Sequence, residues 1–443
     1  VKTNDHAVAA GHSVDPARWQ EAFEGLMGRI AGRFARVEPR RRARQLMLGL
    51  LADLPRKNCW TIAEHTGDAT PDGLQHLLAR AKWDADAVRD DLRAYVVDQL
   101  ADDQAVLVVD ETGDLKKGIR TLGVQRQYTG TAGRIENSQV AVYLTHTSHH
   151  GHAAIDRAPC LPRSWTSDPE RLQQAGVPDG TGFATKPQLA QRMIEHALDA
   201  GTPAAWAAAD EVYGDNPALR SAREALGLGY VLAVSCSHHV PTPAGPVRAD
   251  RLAKKIPRRA WQKLSAGRGA KGHRYYAWAL VVITAANLTG HHHLMVRSNR
   301  ITGELAYYRC WSPHPAPLAT LVRFAGSRWT VEEMFQSSKG LAGLDEHQVR
   351  RWDSWPRWVT LALLAHAFLA ITAARERQGH TPVDDGTSPD GLIPLTCNEI
   401  QRLFITLVVQ PVHDTAHRLG WSTWRRRHQA RARHSHYQRQ AAL

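Results

Sequence analysis

Two aspartates share one setting. Asp110 closes the run Ala105-Val106-Leu107-Val108-Val109, and Asp210 closes Ala204 to Ala209; each run is short, continuously apolar and followed by turn-forming residues. Carboxylates at the ends of neighbouring strands of an α/β sheet lie where such sheets bind ligands. Two of them can hold hard divalent cations, which take oxygen ligands and keep their waters. Ions held this way activate the attacking oxygen and stabilise the leaving one at a phosphodiester. An Asp after a strand is also an ordinary turn residue, so the pair alone leaves both readings open.

A third carboxylate comes with its own cations. The segment Arg328-Trp329-Thr330-Val331-Glu332-Glu333-Met334-Phe335, continuing to Lys339, has helical periodicity. Arg328, Glu332 and Lys339 are spaced by four and seven residues and share one face, while Val331, Met334, Phe335 and Ser338 form the neighbouring stripe. A Glu between Arg and Lys suits a site that handles both metal and phosphate. An exposed helix with i,i+4 ion pairs is the competing reading. The order of the two strand-end aspartates before it tips the balance, and Glu333 is the rival for the third position.

These residues need elements to hold them. Residues 15–100 read as helices, with Trp60 to Gly67 and Thr70 to Leu78 forming a helix-turn-helix or a plain helical hairpin. Buried strands are expected at 105–109, 139–145, 153–155, 204–209 and 230–234, with a helix over 186–200, so the central region is an α/β sheet. Residues 238–315 carry eight Lys and Arg between Lys254 and Arg274, then candidate strands at 275–284, 292–296 and 304–310. From Leu318 onward the pattern is helical, ending in a basic tail from Trp424 to Arg439 whose order is expected to depend on DNA. The apolar stretch from Trp358 to Ala374 is interrupted by Thr360, His366 and Thr372 and reads as a core helix.

Composition narrows the partners. The 443 residues hold 56 Lys and Arg against 43 Asp and Glu, a net charge of +13, which favours a polyanion through counterion release. Five widely spaced cysteines without a C-x-x-C pair argue against a disulfide framework or a zinc ribbon. Histidines cluster at 149–152, 238–239 and 291–293, again without the paired spacing of a structural zinc site.

The words Val108-Val109-Asp110-Glu111-Thr112-Gly113, Lys116-Lys117-Gly118, Gly123 to Gly130, Gly133-Arg134-Ile135-Glu136-Asn137, Ala209-Asp210-Glu211-Val212-Tyr213-Gly214 and Gly343 to Arg350 together resemble the DDE transposases of the IS4-like group, most closely the IS701 family. The likeness runs from about residue 20 to 375, and Arg328, Glu332 and Lys339 match the signature around the catalytic glutamate. Ala325 stands where that signature has Tyr. The resemblance implies an α/β fold: an RNase H-like mixed sheet core with a β-rich insertion, plus helical N-terminal and C-terminal regions. The boundaries expected are 1–100 for a helical DNA-binding domain, 101–237 and 316–375 for the core, 238–315 for the insertion and 376–443 for a basic helical end.

The same resemblance makes Asp110, Asp210 and Glu332 catalytic, binding two Mg2+ ions with Mn2+ as a substitute. It implies cleavage at insertion-sequence ends and strand transfer into target DNA. The partners would be double-stranded DNA (terminal inverted repeats and target) and a second copy of the chain, in the cytoplasm at the nucleoid and away from membranes. Lys116, Lys117, Arg126, Tyr128, Arg134, Arg258, Arg259, Arg328 and Lys339 are expected on DNA, and Trp278 is the aromatic proposed to stack an extruded base. Glu111 and Glu211 are expected to point away from the metal site. The alternatives are a catalytically retired DNA-binding regulator and a stand-alone nuclease.

Overall fold

The computed structural model describes residues 14–269, 272–284, 288–378, 394–409 and 415–441. The chain forms two compact units, Val1–Asp91 with Ser337–Leu443 and, separately, Leu92–Gln336. The first and last described helices thus share one helical unit, a different partition from the five segments expected.

The helical unit begins with α1 (Pro16–Ile30), α2 (Val37–Leu51), α3 (Cys59–His65) and α4 (Asp72–Ala79); α5 (Ala85–Leu100) then runs from it into the second unit. Helix α3 is started by a capping box, in which the Asn58 side chain accepts from Trp60 and Thr61 while Thr61 reaches back to Asn58. It stops at Gly67, whose φ of 84° suits only glycine without strain. Two short helices joined through a turn at Gly67 are therefore present.

The sheet unit holds β1 (Val106–Leu115), β2 (Gln125–Thr129), β3 (Arg134–Thr147) and β4 (His152–Pro159), then α6 (Arg163–Thr166), α7 (Pro169–Ala175) and α8 (Lys186–Asp199). Next come β5 (Trp206–Ala209), α9 (Glu211–Gly214), α10 (Pro217–Ala225) and β6 (Gly229–Val234). The basic region supplies β7 (His239–Val240), β8 (Val247–Arg248), α11 (Ala249–Ala253), β9 (Gln262–Gly269), β10 (Gly272–Val282), β11 (His291–Ser298) and β12 (Leu305–Ser312). Helices α12 (Leu318–Ser327) and α13 (Trp329–Ala342) follow, and α13 runs back into the helical unit at Ser337.

One sheet organises this unit, in the order β2-β3-β1-β5-β6-β12-β11-β10-β9, with β4 also on β3. Strands β4, β3 and β1 are antiparallel, and β5 and β6 continue parallel to β1. That is the RNase H-like mixed core. Two sequence expectations need correction. Strand β1 does not end at Asp110; it continues to Leu115 because the 14-residue β3 pairs with it throughout. Nor do the insertion strands stand apart, because β12 pairs with β6 and carries the same sheet outward. Val234, Val240, Ala249, Leu294, Val296 and Tyr307 share one apolar cluster across that join.

The helical unit is completed by α14 (Ser354–Gln378), α15 (Cys397–Leu407) and α16 (Thr415–Ala441). Phe23 of α1 meets Phe368 of α14 and Phe404 of α15 at ring-centroid distances of 5.6 and 5.5 Å. Helix α14 is long and apolar enough to cross a membrane, but 94% of that window is buried within the protein. It is the core helix expected. The basic tail forms a helix, α16.

Candidate active site

The parallel ladder between β1 and β5 ends at the pair Val109 and Ala209. Asp110 and Asp210 follow these residues directly, on strands spaced about 4.8 Å apart. There the two chains diverge. Strand β1 stays in the sheet opposite Tyr143 of β3, while β5 gives way to α9. Asp210 is the N-cap of that helix, its Oδ1 accepting from the Val212 amide at 2.9 Å.

Helix α13 reaches the same end of the sheet through packing on β3. The Phe335 ring meets Tyr143, the residue opposite Asp110, edge-on at 5.3 Å. Thr330 and Thr147 share a hydrogen bond of 2.9 Å between their hydroxyls. Preceding it, α12 lies so close to β9 that a Cβ on Gly326 would overlap the Ala266 carbonyl, and Arg274 donates to both of those carbonyl oxygens. Thus held, α13 presents Glu332, and Arg328 donates to its Oε1 at 3.0 Å.

Arg328 is the hub of the charges. Burial opposes its positive charge, but Asp110, Glu332 and Asp210 together outweigh that and hold its pKa above the ordinary value. Burial pushes the Asp110 carboxyl up to about 7, against the pull of Arg328 and with Asp210 and Glu111 adding to the rise. Asp210 is raised for the same first reason, burial, and then by Glu111. Glu333 is raised by burial too, against the pull of Arg274. Glu332 shares Arg328 with the two aspartates.

Glu111, expected to point away from the metal site as a supporting residue, has partners that sequence did not name. Glu111 turns to Lys186 at the start of α8 (2.5 Å) and to the buried Tyr213 hydroxyl of α9 (2.6 Å). These bonds tie β1, α8 and α9 together behind the two aspartates. Tyr213 lies within the word Ala209 to Gly214, so its sequence position carried a signal; Lys186 carried none beyond opening a helix. Glu211 is exposed at the start of α9.

The other candidates are spread out. Lys117, Arg126, Arg134, Arg258 and Arg259 are exposed, and Tyr128 is 65% exposed on β2. Arg134 is engaged by Glu136 at 2.9 Å, and Lys116 lies beside Asp114. Lys339 falls on the α13 turns that belong to the helical unit. Lys271 lies outside the described residues. Trp278 is corrected: at 1% exposure, packed against Tyr276 and Tyr308, it has no face open to a base. His149 bonds Asp102 and His238 bonds Asp215, each as a local pair.

Among the described residues no three His, Cys, Asp or Glu side chains are gathered closely enough to hold a metal ion. The donor set nonetheless fits a hard cation. Asp110 and Asp210 are half-buried carboxylates on neighbouring strands, both within the pull of Arg328, and Glu332 is bonded to that same guanidinium.

A relative from Microchaete diplosiphon, described as a probable transposase for insertion sequence element IS701, is 32% identical over 196 residues, which is 44% of this chain. The match spans 49% of that protein, so the chain covers about half the length of this curated relative. Among solved structures, a piggyBac transposase synaptic complex with hairpin DNA aligns over 85% of this chain and 73% of that one, with 11% identity and a TM-score of 0.41. The model of the DDE superfamily endonuclease family matches residues 29–292, well over half the chain, a stretch that includes both aspartates. This chain belongs to the DDE superfamily of endonucleases.

Proposed function

We propose that the chain is a transposase that cuts DNA phosphodiesters at the ends of an insertion element and joins the freed ends to target DNA. The observation that carries this reading is that Arg328 bonds Glu332 at 3.0 Å and is held by the charges of Asp110 and Asp210, three acids distant in sequence. Asp110, Asp210 and Glu332 would hold magnesium ions, with manganese as a substitute. Bound there, the ions would supply an activated attacking oxygen and neutralise the charge on the leaving one.

The protein's own groups have defined parts. Asp110 and Asp210, fixed by the sheet and by the α9 cap, present carboxylate oxygens from two neighbouring strands. Glu332 enters from a separate helix, and Arg328 is the cation within reach of a substrate phosphate. Lys339 is assigned to phosphate by its spacing on the Glu332 helix alone. Exposed Lys117, Arg126, Tyr128, Arg134, Arg258 and Arg259 are assigned to DNA, together with Lys116. No Ser or Cys nucleophile is needed. A homodimer follows from the need to process two ends together, and both should be double-stranded.

The test is a cleavage assay with the full chain on a duplex carrying the inverted repeats that flank its gene. Magnesium-dependent nicking at the repeat boundary, followed by joining to a second duplex, is the expected result. Binding without cutting at any divalent ion concentration would favour the regulatory alternative, and cutting without joining the stand-alone nuclease.

A further inference from the structure

Helix α16 is fastened along the helix-turn-helix. Trp60 of α3 meets Trp424 and His428 at centroid distances of 4.8 and 4.7 Å. The Trp421 indole donates to the Asp68 carbonyl at 2.7 Å, and Arg425 pairs with Glu64. Beside these contacts runs a groove of about 650 Å³, lined by Asp72 at the start of α4 and by Trp424, Arg427, His428 and Arg431 of α16. The last four are spaced by three, four and seven residues, a single stripe on the helix.

The charge on that stripe is uncompensated. Helix α16 has seven arginines and no Asp or Glu. Of the arginines whose side chains are described, Arg425 alone has a carboxylate partner. Helix α4, which in a helix-turn-helix would enter the major groove, carries no Lys or Arg at all; its exposed side chains include Asp72, Gln75 and His76. Within its own eight residues such a reader has base-edge donors and acceptors but no cation to neutralise phosphate; Arg80 and Lys82 follow only past its C-terminal end. The neighbouring helix supplies that charge.

We infer that the groove between α16 and the helix-turn-helix seats the sugar-phosphate backbone of double-stranded DNA. Arg427 and Arg431 neutralise two phosphates, and α4 faces the adjoining bases with Gln75 and His76. Arg425 and Trp421 do not touch DNA; they fix the distance between the two helices. The inference rests on the reading of the chain as a DNA-processing enzyme and adds to it where, and by which cations, the helical unit grips the duplex.

The experiment is a salt titration of full-chain binding to a fluorescently labelled 30-base-pair duplex, followed by anisotropy. Replacing Arg427→Gln and Arg431→Gln together should lower the slope of log K against log salt by about 1.8, equally for cognate and scrambled duplexes. The pair Arg427→Lys with Arg431→Lys should keep the wild-type slope. Arg18→Gln with Arg36→Gln, the same charge change elsewhere in the helical unit, should also leave it unmoved. An unchanged slope in the glutamine pair, with wild type still binding and cutting, overturns this inference and leaves the enzyme reading standing. A wild-type chain that neither binds nor cuts overturns both.

Discussion

Asp110 in the sheet unit and Arg427 in the helical unit are both ionisable side chains assigned to DNA processing, but they sit in opposite surroundings. Asp110 is mostly covered, beside Asp210, and its carboxyl is pushed up to about 7 by burial. Arg427 is exposed on a helix with no acidic residue. Burial makes the first group reactive to whatever can stabilise its negative charge, at a cost to stability. Exposure makes the second cheap to maintain, and its contribution to binding depends on salt. The comparison teaches a division of labour: chemistry is assigned to the sheet, affinity to the helices.

The sharpest way to break that division is to neutralise one aspartate. Asp110→Asn or Asp210→Asn should reduce cutting on the order of a thousandfold or more, as expected when one member of a cooperative catalytic set is lost, with duplex affinity kept. If affinity collapsed together with cutting, the two roles would not be separable.

Packing gives the next largest contrast. Gly214 closes α9 against β6, and a Cβ there would overlap the Ala233 carbonyl. Gly214→Ala should cost about 2–3 kcal/mol through overpacking. Gly28→Ala on α1, where nothing lies within 4 Å, should instead stabilise by up to about 1 kcal/mol. Urea unfolding of both variants measures the difference.

A smaller effect follows from the Asp110 proton. Its folded pKa of about 7 lies above the ordinary 3.8, so the metal-free folded chain holds a proton that the unfolded chain releases. Stability is therefore lost as pH rises from the carboxylate range through 7. Asp110→Asn removes that loss. It should be more stable than wild type by on the order of 1–3 kcal/mol at pH 8 and nearly equal to it at pH 3; equal gaps at the two pH values would contradict the burial argument. The smallest effect is expected at the Arg425–Glu64 pair, partly exposed on both sides. A double-mutant cycle with Gln at each position should give a coupling below about 1 kcal/mol.

Much of this was legible in the sequence. The run from Val106 to Val109 announced a buried strand because β-branched residues without alternation fit a sheet covered on both faces. Glu332 was separable from Glu333 by helical spacing, and the structure gives them different electrostatic neighbours. What sequence could not supply was partner choice at long range. Nothing in Asp110-Glu111-Thr112-Gly113 shows that β3 is long enough to keep β1 extended past the aspartate. Trp278 stood among basic residues and looked available, yet on β10 it is buried against Tyr276 and Tyr308. The tail's arginines read as a segment whose order depends on DNA because the tryptophans that anchor α16, Trp421 and Trp424, find their partners more than 350 residues away in the chain.

The close seat of Gly326 on Ala266 has an engineering consequence. The stretch from 238 to 315 looks like the part to trim when shrinking the enzyme, since none of the three acidic residues lies in it. Its outermost strand is nevertheless the floor on which α12 rests, and α12 leads straight into the helix bearing Glu332. A pared-down version would keep two of its three acids in register and leave the last one without a foundation.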